Sequence, residues 1–203
     1  MSTATPLETL VIGPEHNGMR MTPEEFDAAT EWDENHKYEL VHGVLIVTPP
    51  PLEQERDPNE ELGHWLRDYR DRHPRGGSLD ATLSEHHVRS TDSRRRADRV
   101  IWAGLGRRPD PRRDVPTIVV EFLSEGRRSW RRDYVEKRDE YLGLGVKEYW
   151  LIDRFRRIMT VFRPASQPHV VQEGDVYRTG LLPGFELPLA KLLSLADRWE
   201  STE

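Results

Sequence analysis

One short run limits what this chain can become: Ile118-Val119-Val120-Glu121-Phe122-Leu123, apolar on both sides of a single carboxylate. Its length and its β-branched residues predict a strand of the core. A carboxylate buried there without a partner would cost on the order of several kcal/mol. Glu121 therefore needs a cation, a metal ion, or a place at a strand end near solvent. Upstream, Arg94-Arg95-Arg96 leads into Ala97-Asp98-Arg99-Val100-Ile101-Trp102-Ala103, a second predicted strand. Side chains alternate across a strand. Asp98, Val100 and Trp102 then share one face, with Arg99 and Ile101 on the other. On the later strand Ile118, Val120 and Phe122 oppose Val119, Glu121 and Leu123.

Two carboxylates on two strands, followed by Lys137 on a helix-like segment, are what a divalent-metal phosphodiesterase site requires. Mg²⁺ suits oxygen-only ligands and takes one or two carboxylates besides waters and phosphate oxygens. A lysine nearby could orient a water or steady developing charge. The residues also have plainer readings. Asp98 could pair with an arginine of the run before it, and Glu121 with Lys137 or Arg132. Asp133 and Lys137, four apart on one helix face, could be the site's approach or a surface ion pair.

Composition narrows the class. The chain has 203 residues, enough for one domain with a core, and a net charge of −6, which excludes a uniformly basic coat but not a local basic groove. Of 30 basic residues only Lys37, Lys137, Lys147 and Lys191 are lysines, so a retained lysine carries some weight as a specific group. There is no cysteine, hence no disulfide framework or thiolate metal site. No run of about 18 apolar residues predicts a membrane span, and Met1 to Pro6 lacks the pattern of a signal peptide. A cytoplasmic protein with no membrane partner is expected.

In chain order, residues 1–20 predict a loosely ordered arm and 21–203 a single domain. Thr22-Pro23-Glu24-Glu25 predicts a helix start with a capping box. Tyr38 to Val47 predicts a hairpin around His42-Gly43. Leu62, Trp65, Leu66 and Tyr69 predict an amphipathic helix from Asn59 to about His73. Residues 78–89 predict a strand, Arg132–Leu144 a helix, and Lys147–Asp153 with Arg157–Arg163 a hairpin. Val170-Val171 and Val176-Tyr177 predict a weaker hairpin, and Leu189 to Trp199 a short helix. The order predicts an α/β fold, a mixed sheet with helices on its faces and additional hairpins.

Taken together, these pieces resemble the Uma-two family of restriction-endonuclease-like proteins, a branch of the PD-(D/E)XK phosphodiesterase superfamily. The resemblance rests on Met21-Thr22-Pro23-Glu24-Glu25-Phe26, Tyr38-Glu39-Leu40-Val41-His42-Gly43, Pro49-Pro50-Pro51, Ala97-Asp98 and Val119 to Ser124. It continues through Asp133 to Lys137, Gly145 to Asp153, and Leu182 to Leu187. It implies a restriction-endonuclease-like fold, a central four-stranded mixed sheet flanked by helices. It also implies that Asp98 and Glu121 are metal ligands, that Glu39 joins them, and that Lys137 replaces the superfamily's strand-borne lysine, whose position here is Leu123. Position 97 is Ala where the family usually has Pro.

The expected function is a Mg²⁺-dependent endonuclease (Mn²⁺ as the substitute ion) acting on DNA. The alternative is a non-catalytic nucleic-acid-binding or interaction module that keeps the fold. Arg94, Arg95, Arg96, Arg127, Arg128 and Arg131, with Trp130 among them, are candidates for nucleic-acid contact. A homodimer is expected to follow from the need to cut two strands, with Tyr149–Ile152 and Ile158–Phe162 as candidate interface hairpins if unburied.

Overall fold

His42 and Gly43 both adopt positive φ, 48° and 74°, the conformation that lets a two-residue turn follow the twist of its strands. This turn closes β1 (Lys37–Val41) onto β2 (Val44–Thr48), antiparallel from Val41↔Val44 to Lys37↔Thr48. The computed structural model describes residues 11–126 and 130–199. Within them the chain forms two compact units: residues up to Pro50 with Ser90–Arg95, and Pro51–Arg89 with Arg96 onward.

The first unit holds β1, β2 and α1 (Pro23–Ala28). Thr22 Oγ1 accepts from the Glu25 amide at 3.1 Å and Glu25 Oε2 from the Thr22 amide at 2.7 Å, the reciprocal cap expected of this sequence. Ile12 pairs with Trp32 and is buried with Phe26, Tyr38, Leu40 and Leu45. Ile12 of the expected loose arm is therefore part of this core, with Met19 packed against it, and residues 1–10 lie outside the described residues. Apolar Ile12 is the reason, since it is buried in a cluster with Phe26 and Tyr38 rather than facing water.

The second unit is built on a mixed sheet. β4 (Arg94–Ala103), whose first two residues belong to the first unit, continues here beside β5 (Ile118–Phe122), β6 (Glu148–Asp153), β7 (Ile158–Phe162) and β8 (His169–Gln172), in that order. β3 (Leu79–Arg89) pairs with β4. β5 and β6 run parallel, and the helical run between them supplies the crossover such a pair needs. Every residue of β5 is buried. Ile101, Ile118, Val120, Phe122, Trp150 and Ile152 share one core with α2 (Glu53–Arg72) and α4 (Leu189–Asp197). Val100, Trp102, Val119, Tyr149 and Leu151 share another with Tyr134 and Tyr141. These are the faces that strand alternation predicts.

Three expectations about elements are corrected. α2 begins at Glu53, not Asn59, and runs through Pro58. Pro58 cannot donate to the helix, but it is buried with Glu55, Asn59 and Leu62 on the sheet side, so packing outweighs the lost bond. Val170-Val171 and Val176-Tyr177 do not form a hairpin together. β8 pairs with β7, while β9 (Val176–Tyr177) pairs with β10 (Leu187–Pro188). Finally, Tyr149–Ile152 and Ile158–Phe162 are buried in the sheet and cannot supply an exposed dimer face. No helix among the described residues is long and apolar enough to cross a membrane.

One contact ties α2 to β4. Arg99 is 1% exposed. Its Nε donates to Asn59 Oδ1 at 2.7 Å and a terminal nitrogen donates to the Asn59 carbonyl at 2.7 Å. Burial lowers its pKa to about 10, which leaves it charged at neutral pH. A Cβ on Gly63 would lie 2.5–2.8 Å from this pinned guanidinium. Gly63→Ala is therefore expected to destabilise the fold by about 1–3 kcal/mol. Urea unfolding measures this, and an unchanged midpoint would contradict the packing described.

Candidate active site

Asp98 and Glu121 are brought together by register. The β4–β5 ladder pairs Ile101↔Ile118, Val100↔Val119 and Arg99↔Val120. One step further brings Asp98 opposite Glu121, so both carboxylates stand on the same face. There the strands part: the Phe122 amide, instead of continuing the ladder, donates to Asp98 Oδ2 at 2.8 Å. Asn59 Nδ2 donates to the Asp98 carbonyl at 2.8 Å, which fixes the backbone of the same residue from α2.

Lys137 arrives from the crossover. Residues Arg132–Lys137 form a π-helical turn that passes into α3 (Arg138–Gly143). A π-helical turn widens the helix locally and recurs at functional sites. Lys137 Nζ donates to Glu121 Oε1 at 2.9 Å and to the Arg96 carbonyl at 3.2 Å. Tyr141, four residues on and fully buried, donates its hydroxyl to the same Oε1 at 2.9 Å. Two donors thus meet one oxygen of Glu121, which leaves Oε2 as the oxygen to present to a cation. The sequence reading gave Tyr141 no role at the site. Its signal in sequence is the four-residue spacing from Lys137, which puts both on one helix face.

The electrostatics of Glu121 follow from its surroundings. Burial pushes its pKa up to about 8; Lys137 opposes the rise, while Asp98 and Asp133 add to it. A carboxylate in this state gains from a nearby divalent cation, because the cation favours ionisation that burial resists. The donor set, carboxylate oxygens without sulfur or imidazole, fits a hard ion such as Mg²⁺ or Mn²⁺. Among the described residues no cluster of three or more His, Asp or Glu side chains is arranged to hold a metal. Two carboxylates with waters and phosphate oxygens are the set the site offers.

Other expected site residues are placed differently. Asp133 is buried, and Arg132 Nε donates to its Oδ1 at 2.8 Å, so the surface pair with Lys137 is replaced by a neighbour pair. Glu39 lies in the first unit, buried, with Arg95 as an ion-pair partner at 3.7 Å. Arg94 is also buried; its terminal nitrogen donates to Asp27 Oδ2 at 2.9 Å, and another to the carbonyls of Ser90 and Ser93. Arg96 pairs with Glu85 at 3.0 Å. The Arg94–Arg96 run thus serves internal carboxylates rather than forming an open basic strip. Arg131 is exposed, with Glu136 at 3.6 Å, and Arg127 and Arg128 lie outside the described residues. Leu123, at the usual lysine position, is buried among apolar side chains.

The family model Uma2, described as "Putative restriction endonuclease", matches residues 23–190. A solved structure described as a "putative nuclease belonging to DUF820", from Anabaena variabilis ATCC 29413, is similar at a TM-score of 0.69 and 16% identity. The match covers 87% of this chain and 99% of that one, and at this identity it shows the fold. No curated protein matches the chain.

Proposed function

Since the chain belongs to the Uma2 family, we propose that it is a metal-dependent endonuclease that hydrolyses phosphodiester bonds in DNA. The observation that carries this reading is the convergence of three buried groups: Asp98 and Glu121 on adjacent strands, with Lys137 Nζ 2.9 Å from Glu121. Asp98 and Glu121 Oε2 would hold Mg²⁺. When bound, that ion supplies Lewis acidity toward a phosphate oxygen and a more acidic water.

The chain's own groups do the rest. The Phe122 amide and the Asn59 side chain fix Asp98 before substrate arrives. Tyr141 and Lys137 hold the rotamer of Glu121, which spares reorganisation during reaction. Lys137 keeps a positive charge beside the scissile phosphate, where it steadies the extra negative charge of the transition state and orients the attacking water. Glu39 belongs to the first unit, and the reading uses only the three residues of the second.

Incubating the purified chain with plasmid, linear and single-stranded DNA plus Mg²⁺ or Mn²⁺ tests the proposal. Metal-dependent cleavage is expected. Its absence on every substrate would favour the alternative, a nucleic-acid-binding module in which Lys137–Glu121 is simply a structural pair. Within an active enzyme, Lys137→Met is expected to lower kcat by about 10²-fold. Tyr141→Phe, which keeps the ring and one donor to Glu121, should cost far less, about tenfold or below. Equal losses in the two variants would remove the distinction drawn between charge and positioning.

A further inference from the structure

The helical run that carries Lys137 also walls a groove unused by the chemistry above. Trp130, Tyr134, Lys137 and Tyr141 recur at helical spacing, so the groove wall and the candidate site share one element. The groove has a volume of about 410 Å³. Its floor is the outer part of the sheet: Ile158, Thr160 and Phe162 of β7 and Val170 of β8, with Tyr134 on one side and Arg156 at the rim. Thr160 faces Val170 across the ladder, and Val170 is exposed.

Two features say what the groove would take. Trp130 is 45% exposed. Its inner face stacks on Tyr134, with centroids 4.9 Å apart and planes at 22°, while the Tyr134 hydroxyl is anchored on Asp153 Oδ2 at 3.2 Å. The indole is thus held rigidly, with its outer side toward solvent. Arginines lie along the same helical run and at the groove. Arg131 is exposed, Arg138 lies over Phe162 at 5.6 Å, and the exposed Arg156 guanidinium has no ion pair among the described residues. An anchored aromatic ring with arginines beside it matches unpaired bases, which stack, joined by phosphates, which are neutralised. A duplex keeps its bases stacked inside and could not use the ring.

We propose that this groove binds a single-stranded DNA segment next to the phosphate cut at Asp98–Glu121–Lys137, with one base on Trp130 and its phosphates toward Arg156 and Arg131. The proposal rests on the nuclease reading for its placement, but its binding test does not require cleavage.

The test is fluorescence anisotropy of a labelled dT oligomer of about 12 nucleotides, and of a duplex of equal length, on the full chain with Ca²⁺ in place of Mg²⁺. Trp130→Ala and Arg156→Glu are each expected to weaken single-strand binding about tenfold. Duplex binding should change less than twofold, and Trp130→Phe, which keeps a ring, should retain single-strand binding within about threefold. Trp130 and Arg156 are exposed, so the variants should unfold at the wild-type temperature. Equal losses on both probes, no loss on either, or no single-strand binding by wild type would overturn the proposal. Failure of the nuclease reading looks different: wild type would then cut nothing with Mg²⁺ or Mn²⁺, whatever the anisotropy shows.

Discussion

Asp98→Asn and Glu121→Gln are each expected to lower metal-dependent DNA cleavage by at least about 10³-fold, the largest effect in this molecule. Both amides keep the size of the side chain and a carbonyl oxygen, so Asp98→Asn can still accept from the Phe122 amide. What each loses is a negative oxygen ligand, and with only two carboxylates at the site either loss halves the protein's share of charge on the metal. Glu121→Gln also changes the group that accepts from the buried Lys137 and Tyr141. Circular dichroism and a thermal melt must therefore accompany the rate, and Asp98→Asn, which keeps an oxygen for the Phe122 amide, is read beside it. Full cleavage by a folded Asp98→Asn protein would remove Asp98 from the site.

The second large effect concerns pH. The Glu121 pKa is raised by burial to about 8 from a usual value of 4.5. Between those values the folded chain binds a proton that the unfolded chain has released, so metal-free stability falls as pH rises. Glu121's favourable share is fully present below pH 4.5 and is lost as pH rises through about 8. At most this amounts to about 1.4 kcal/mol per pH unit inside the window. A divalent ion reverses the trend, because it binds the ionised form and expels the proton. Apparent Mn²⁺ affinity should then climb about tenfold per unit between pH 6 and 8, and the metal-free melting temperature should drift downward. Glu121→Gln should flatten both slopes. A melting temperature that rises through this window in the metal-free protein would show that Glu121 is ionised there throughout.

Local chemistry explains which parts of the fold were legible in sequence. The Thr22 cap and the His42-Gly43 turn are set by residues within a few positions of one another, and both form as expected. The alternation along β4 and β5 was equally readable, because a strand buried on both faces leaves its side chains no other choice. What failed depended on distant partners. Pro58 reads as a helix boundary until the sheet that packs on it is known. Val176-Tyr177 reads as the partner of its near neighbour, but finds β10 instead.

The site shows the same division. Glu121 announced itself as a lone carboxylate in an apolar run, and its neighbours supply the partner that burial demands. Arg94–Arg96 misled in the opposite direction. A basic run usually means a solvated surface, but Asp27, Glu39 and Glu85, on other elements of the chain, claim these side chains. Asn59 and Tyr141 gave no signal of their own. Each matters through a neighbour, Asn59 through Asp98 and Tyr141 through Glu121, and such roles emerge only once the neighbour is placed.

The central claim is that Asp98 and Glu121 together hold one divalent ion. Titrating the metal-free chain with Mn²⁺ at pH 8, with free ion followed by electron paramagnetic resonance, tests it most directly. One saturable site is expected in the wild type, weakened at least about tenfold in Asp98→Asn and in Glu121→Gln, with Lys137→Met still binding. A wild-type chain that binds no Mn²⁺, or variants that bind it as tightly as wild type, would contradict the account.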